Sequence, residues 1–224
     1  FAVPHRVMAN LSYKIDYANH LSTTVSLFYN GSHRGRYAYT YNGDINKDGV
    51  SLDLLYLPNS SSELNFDDIK SGSDVLFTAE QQRQAYDEFL ANDNILSKYK
   101  GDYVARNAGL LPWFNRFDVK LLQDIYVKQK GDGRKHTLQL SLDIMNFGNL
   151  LNKNWGVFQQ LNNGSSYNYD LLKVTNVTAD GVPSFNMITI KNEAGETVLP
   201  KTAFRNQNTI ANTWSMQFGI RYIF

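Results

Sequence analysis

The chain has 224 residues, 42% of them hydrophobic and none of them cysteine, and its 22 basic and 21 acidic residues leave a net charge of +1. That balance offers no field strong enough to argue for nucleic acid or an acidic partner, and the lack of cysteine excludes disulfides, thiolate metal sites and a cysteine nucleophile. No stretch reaches the roughly 18 consecutive apolar residues of a membrane-spanning helix, an exclusion that does not reach β-barrels, whose spanning strands of ~9–11 residues hide their apolar half by alternation.

The opening FAVPHRV carries no charged-then-apolar signal region, so any secretion signal is expected outside this sequence. From Val7 the chain alternates over a strand at 5–17: Val7, Ala9, Leu11, Tyr13, Ile15 and Tyr17 fall on one face, Met8, Asn10, Ser12, Lys14 and Asp16 on the other. After a short YANH connection a second strand at 20–30 sets Leu21, Thr23, Val25, Leu27 and Tyr29 against Ser22, Thr24, Ser26, Phe28 and Asn30. The two make a hairpin with a tight turn.

A long loop follows, over 31–114. Tyr37, Tyr39 and Tyr41 alternate on one face near its start and are candidate ligand contacts, since stacked aromatic faces hold sugars or peptides, although a rim girdle explains them more simply. In DINKDGVSLD, Asp44, Asn46 and Asp48 take positions 1, 3 and 5 of a calcium loop, Val50 offers its carbonyl, and Asp53 substitutes for the missing acid at position 12, which is Leu55. That departure rules out an EF-hand. Both a looser calcium loop and plain Asn/Asp/Gly turn chemistry fit the remainder. Farther on, Thr78-x-x-Gln81 is a capping box and predicts a helix over Ala79–Ala91, with Ala85, Phe89 and Ile95 or Leu96 on its inward face, resting on a barrel mouth.

Alternation returns at 115–127, where Phe117, Val119 and Leu121 oppose Asp118, Lys120 and Leu122, and after the short KGDGRK turn at 136–147, with continuation to 160 left open. A second long loop, 161–212, carries the turn signals NNGSS, DGVP and NEAG, and its FNMITI reads as one strand of a hairpin. The last strand, 213–224, places Trp214, Met216, Phe218, Ile220, Tyr222 and Phe224 on one face and Ser215, Gln217, Gly219, Arg221 and Ile223 on the other. Mid-strand charges on the polar faces suit a water-filled lumen, and terminal Tyr and Trp suit interfacial girdles. Short turns on one side and long loops on the other complete the pattern of an outer-membrane barrel with extracellular loops.

DIMNFGNLLNKNWG resembles the penultimate-strand element of TonB-dependent outer-membrane receptors, and the aromatic-ended terminus resembles their C-terminal assembly signal. With VPHRV, TTVSLFYNG, YTYNGDINKDG, PWFNRFD and RYIF, the ordered set looks most like the Oar-like receptors of Bacteroidetes. The resemblance implies an all-β fold: a transmembrane antiparallel barrel of 22 strands, of which 1–224 is the C-terminal part, with a plug domain outside this sequence. It implies a TonB complex, the barrel assembly machinery, outer-membrane lipids and a surface lipoprotein as partners. Trp214, Phe218, Tyr222 and Phe224 would then belong to the closing strand and its signal.

The histidines have no metal-ligand spacing and no catalytic motif stands out, so no enzyme is expected; calcium is the one candidate cofactor. Two alternatives stay open: a secreted calcium-dependent β-sandwich that binds carbohydrate, and an outer-membrane channel without a plug. Strand length speaks against the sandwich, whose strands usually run to about five or six residues.

Overall fold

A computed structural model describes residues 5–128, 135–165 and 167–224. The chain is mostly β-strand, 51%, with few helices. In chain order the elements that matter here are β1 (Arg6–Tyr17), β2 (Leu21–His33), β3 (Arg36–Asn42), β4 (Tyr56–Leu57), β5 (Asn65–Phe66), α1 (Ala79–Ala91), β6 (Asp102–Tyr103), β7 (Gly109–Leu110), β8 (Trp113–Lys128), β9 (Lys135–Met145), α2 (Phe147–Leu151), β10 (Asn168–Val177), β11 (Pro183–Met187) and β12 (Ser215–Ile223). They divide between two compact units. One gathers Gly35–Leu111 and Gln160–Arg205, the other residues 5–34, Pro112–Gln159 and Asn206–Phe224.

The second unit is one antiparallel sheet in the order β1-β2-β8-β9-β12. Its registers run unbroken, from Tyr17 opposite Leu21 through Val25 opposite Leu121 and Leu121 opposite Leu142 to Leu142 opposite Phe218. Strands of 12, 13, 16, 11 and 9 residues are long for a soluble sheet, where about five or six is usual. Both outer edges are unpaired among the described residues, so the sheet does not close on itself. The turn from β1 to β2 is tight because Ala18 and Asn19 both adopt left-handed backbone, φ 52° and 59°. The KGDGRK turn lies, except for Lys135, outside the described residues.

The first unit has an ordinary hydrophobic core. Its mixed sheet runs β5-β11-β10-β3-β7, with β3 parallel to β10 and β5 parallel to β11. Helix α1 spans Ala79–Ala91, the residues its capping box marks, and the box is formed: Thr78 Oγ1 accepts from the Gln81 N–H and Gln81 Oε1 from the Thr78 N–H. The helix buries Tyr86 and Phe89, with Phe89 stacked on Tyr169 at 5.6 Å between centroids. Its buried Gln82 is a polar staple, donating from Nε2 to the Asp67 carbonyl (2.7 Å) and accepting at Oε1 from the Met187 N–H (2.9 Å). FNMITI contributes to β11, which does form a hairpin with β10.

One expectation is corrected here. The strand at 136–147 does not continue to 160: it ends at Met145, because Asn146 takes left-handed backbone (φ 55°) and α2 begins at Phe147. The segments 31–114 and 161–212, expected as long loops with a helix in the first and a hairpin strand in the second, also supply most of the cored unit.

Candidate functional site

The sheet of five long strands separates its side chains by chemistry. Register places Leu11, Tyr13, Val25, Leu27, Val119, Leu121, Leu140, Leu142, Phe218 and Ile220 on one continuous face. Leu11, Phe218 and Ile220 are 71%, 75% and 78% exposed. All of the buried hydrophobic residues among those described belong to the other unit, so this sheet has no apolar core on either side. Each such side chain left in water forgoes about 1.5–3 kcal/mol. Across the face the shortfall is on the order of tens of kcal/mol, more than the ~5–15 kcal/mol that holds a whole domain together. A water-soluble domain would put a second layer there.

The opposite face is polar and internally paired. Lys120 Nζ meets Asp143 Oδ1 at 2.9 Å, Arg116 Nε meets Asp118 Oδ1 at 2.8 Å, Gln139 Nε2 donates to Asp124 at 2.9 Å, and Ser12 and Ser26 share a 2.8 Å hydrogen bond. From Val7 to Tyr17 the apolar face spans ten residue steps, about 34 Å at ~3.4 Å per step, which a strand tilt of about 40° converts to a band about 25 Å tall. Among the described residues no helix is long and apolar enough to cross a membrane.

Aromatic residues gather at both ends of the apolar face. At one end Tyr29 and Phe117 lie 4.9 Å apart and Trp113 crowds Gly31. A Cβ on Gly31 would sit 2.2 Å from the Tyr29 hydroxyl and 2.7 Å from the Trp113 ring, so only glycine lets both rings close over the strand. The 146–157 segment is tied there by Asn146, whose Nδ2 donates to the carbonyls of Gly156 (3.0 Å) and Asn212 (2.8 Å). With Tyr29, Trp113, Phe117 and Trp155 it walls an aromatic pocket of about 660 Å³. At the other end Tyr222 stacks on His136 and Phe224, and its hydroxyl lies 2.7 Å from His136 Nδ1. Of the four closing-strand residues, Phe218 and Tyr222 lie in β12, while Trp214 and Phe224 flank it, both exposed.

Both long excursions leave from the same end of the strands, after His33 and before Trp113, and after Met145 and before Ser215, because these residues are paired in the sheet.

Tyr37, Tyr39 and Tyr41 do not form an exposed rim; they are 0%, 0% and 3% exposed. The reason is that β3 lies inside the mixed sheet, covered on both faces, so alternation along it does not separate wet from dry. The Tyr37 and Tyr39 hydroxyls meet at 3.0 Å, and Tyr39 donates to the Asp93 carboxylate. Burial pushes the Tyr37 and Tyr39 hydroxyls well above their usual pKa, and Tyr41 up to about 12. These residues belong to the core of the loop unit, and of the three only Tyr41 also lines a cavity.

Asp44, Asn46, Asp48 and Asp53 are brought together, and their oxygens are taken up within the loop. Asp44 accepts from the N–H groups of Asp48 and Gly49, and Asp48 accepts from the Val50 N–H. Asp53 accepts from the Ile45 N–H and Asn46 Nδ2, each at 3.0 Å. Among the described residues no group of three or more His, Asp or Glu side chains has the arrangement to hold a metal ion. Asx-turn hydrogen bonds close the loop, with Val50 supplying its N–H.

Beside this loop the cored unit opens a pocket of about 570 Å³ that pattern reading does not reveal. Its floor is the stacked Tyr41 and Phe185 pair, 5.6 Å apart, and its rim the Tyr56 and Tyr103 pair at 5.2 Å. Asp53, Glu63 and Arg106 line it. They come from three separate stretches of chain, and no motif spacing links them. Comparison with protein-family models, curated proteins and solved structures finds no match.

Proposed function

We propose that the five-stranded sheet is part of the wall of a β-barrel in a Gram-negative outer membrane, and that the chain belongs to a TonB-dependent receptor that moves a ligand by binding and gating. The observation that carries this reading is the uncovered apolar face backed by a charged, hydrogen-bonded one, on strands of 9 to 16 residues. Lipid takes the place of the missing apolar layer, and a water-filled lumen solvates the Lys120–Asp143 side. The receptor assignment rests on the resemblance of DIMNFGNLLNKNWG and the RYIF terminus to that family, with the TonB complex, the assembly machinery and a surface lipoprotein as its partners.

Strand direction adds a topological requirement. β1 and β12 run the same way, because four antiparallel pairings separate them. An all-antiparallel closed barrel therefore needs an odd number of further strands between them. Two copies related by rotation about the barrel axis would set β12 of one parallel to β1 of the other, so simple pairing of copies does not close it.

The test is extraction and electrophoresis. The protein should require detergent, migrate differently before and after boiling, and resist trypsin in its unboiled form. A monomer that stays in solution without detergent would end the barrel reading and favour the sandwich.

A further inference from the structure

The pocket beside the Asp44–Asp53 loop holds opposite charges that do not meet. Arg106 has no hydrogen-bond or ion-pair partner among the described residues, although Asp53 and Glu63 line the same cavity. Both Asp53 oxygens are engaged, by the Ile45 N–H and by Asn46. Glu63 uses Oε1 to cap the Ser60 N–H at 3.0 Å and leaves Oε2 unengaged. The same cavity is lined by Tyr103, which is 61% exposed, half-exposed Leu52 and Val182, and Pro183. A guanidinium and a carboxylate oxygen, both unspent and not paired with each other in one cavity with an apolar floor, complement a ligand whose own charges are opposite and separated by an apolar body. The cavity volume lies in the usual range for small-ligand sites, ~300–1,000 Å³.

We propose that this pocket binds a zwitterion of the short-peptide class. The peptide carboxylate sits in the fork of Arg106, its ammonium faces Glu63 Oε2 with Asp53 adding negative potential, and its side chains lie against Tyr103, Leu52 and Val182. The proposal deepens the receptor reading and rests on it for its biological meaning, while the pocket itself is built wholly within the cored unit.

The probe is a tripeptide of leucine, phenylalanine and leucine with both ends free, titrated calorimetrically into the full-length protein in detergent, beside the same peptide acetylated and amidated. The free peptide should bind, the blocked one should bind about tenfold more weakly or worse, and Arg106→Gln should weaken the free peptide by a similar factor. Arg106 makes no contact whose loss would unfold the unit, and Glu63→Gln keeps an oxygen for the Ser60 cap, so both variants report on the ligand. Equal binding of free and blocked peptides, no binding by properly assembled protein, or an Arg106→Gln variant with wild-type affinity would each overturn the proposal. Heat-modifiable migration of the same sample separates the two readings. A detergent-requiring, heat-modifiable protein that ignores the peptide refutes the pocket alone, and a detergent-free protein that binds it refutes the barrel alone.

Discussion

The Tyr17 hydroxyl donates to Gln123 Oε1 at 3.0 Å, reaching from β1 to β8 across the strand between them. Thr23 on that middle strand donates to the same oxygen at 2.6 Å and lies 2.9 Å from the Tyr17 hydroxyl. All three residues are on the otherwise apolar face, near the end that carries the tight turn. On the proposed barrel wall, polar groups on this face would have no water to fall back on, and here they satisfy one another.

Gln123→Leu should therefore lower stability by about 1–2 kcal/mol, because it strips the shared acceptor from two hydroxyls. Combining it with Tyr17→Phe and Thr23→Val should restore most of the loss, since no orphaned polar group remains. Urea unfolding in lipid vesicles reads both values; additive losses in the triple variant would contradict a mutually satisfied cluster.

The buried tyrosines set an alkaline limit on the loop unit. Tyr41 titrates near 10 when unfolded and near 12 when folded, because burial disfavours its phenolate. A group whose folded pKa is raised contributes stability below pH ~10 and loses it as pH rises through the folded value. Tyr37, Tyr39, Tyr86 and Tyr169 shift the same way for the same first cause. Phenolate absorbance should thus appear in two phases, exposed tyrosines first and the buried set together with loss of structure above pH ~10. A single smooth titration at the ordinary value would show these rings to be solvated.

The Asp44–Asp53 loop closes on its own hydrogen bonds, so Asp53→Ala should loosen it by about 1–2 kcal/mol through loss of the acceptor for Ile45 and Asn46. Turn chemistry predicts that a calcium chelator leaves the thermal midpoint of the wild type where it was. A calcium-dependent rise that Asp44→Asn abolishes would instead establish the ion.

Gln82 makes the strongest single prediction for the cored unit. Gln82→Leu leaves the buried Met187 N–H without its acceptor, at about 1–3 kcal/mol, while the Asp67 carbonyl keeps the amide of Asn186. Gln82→Glu keeps the acceptor for Met187 but turns a buried carboxylate toward the Asp67 carbonyl, so it should be no milder at neutral pH. Hydrogen exchange at Met187 distinguishes a lost staple from general unfolding.

What the sequence revealed follows from which faces meet different solvents. Along β1, β2, β8, β9 and β12 alternate residues face opposite chemistries, so period two is written plainly from Val7 to Tyr17 and from Met216 to Tyr222. Thr78 and Gln81 are neighbours in sequence, so the helix start was readable too. β3 buries both faces, and its tyrosines therefore look like those of a surface strand while forming a core. The mixed sheet pairs Ala38 with Asn168, and the loop pocket joins Glu63 to Arg106 and Val182; such partners meet only in the fold. Asn146 ended its strand through a left-handed backbone that composition around it does not announce.

Lipid contact along β12 is the most direct test of the amphipathic wall. The chain contains no cysteine, so single cysteines at 216, 218 and 220 and at 217, 219 and 221 can carry nitroxide labels without background. In reconstituted membranes, labels at 216, 218 and 220 should be relaxed by oxygen dissolved in the bilayer, and those at 217, 219 and 221 by a water-soluble nickel chelate. Equal access of the nickel chelate to both sets would contradict a lipid-facing sheet.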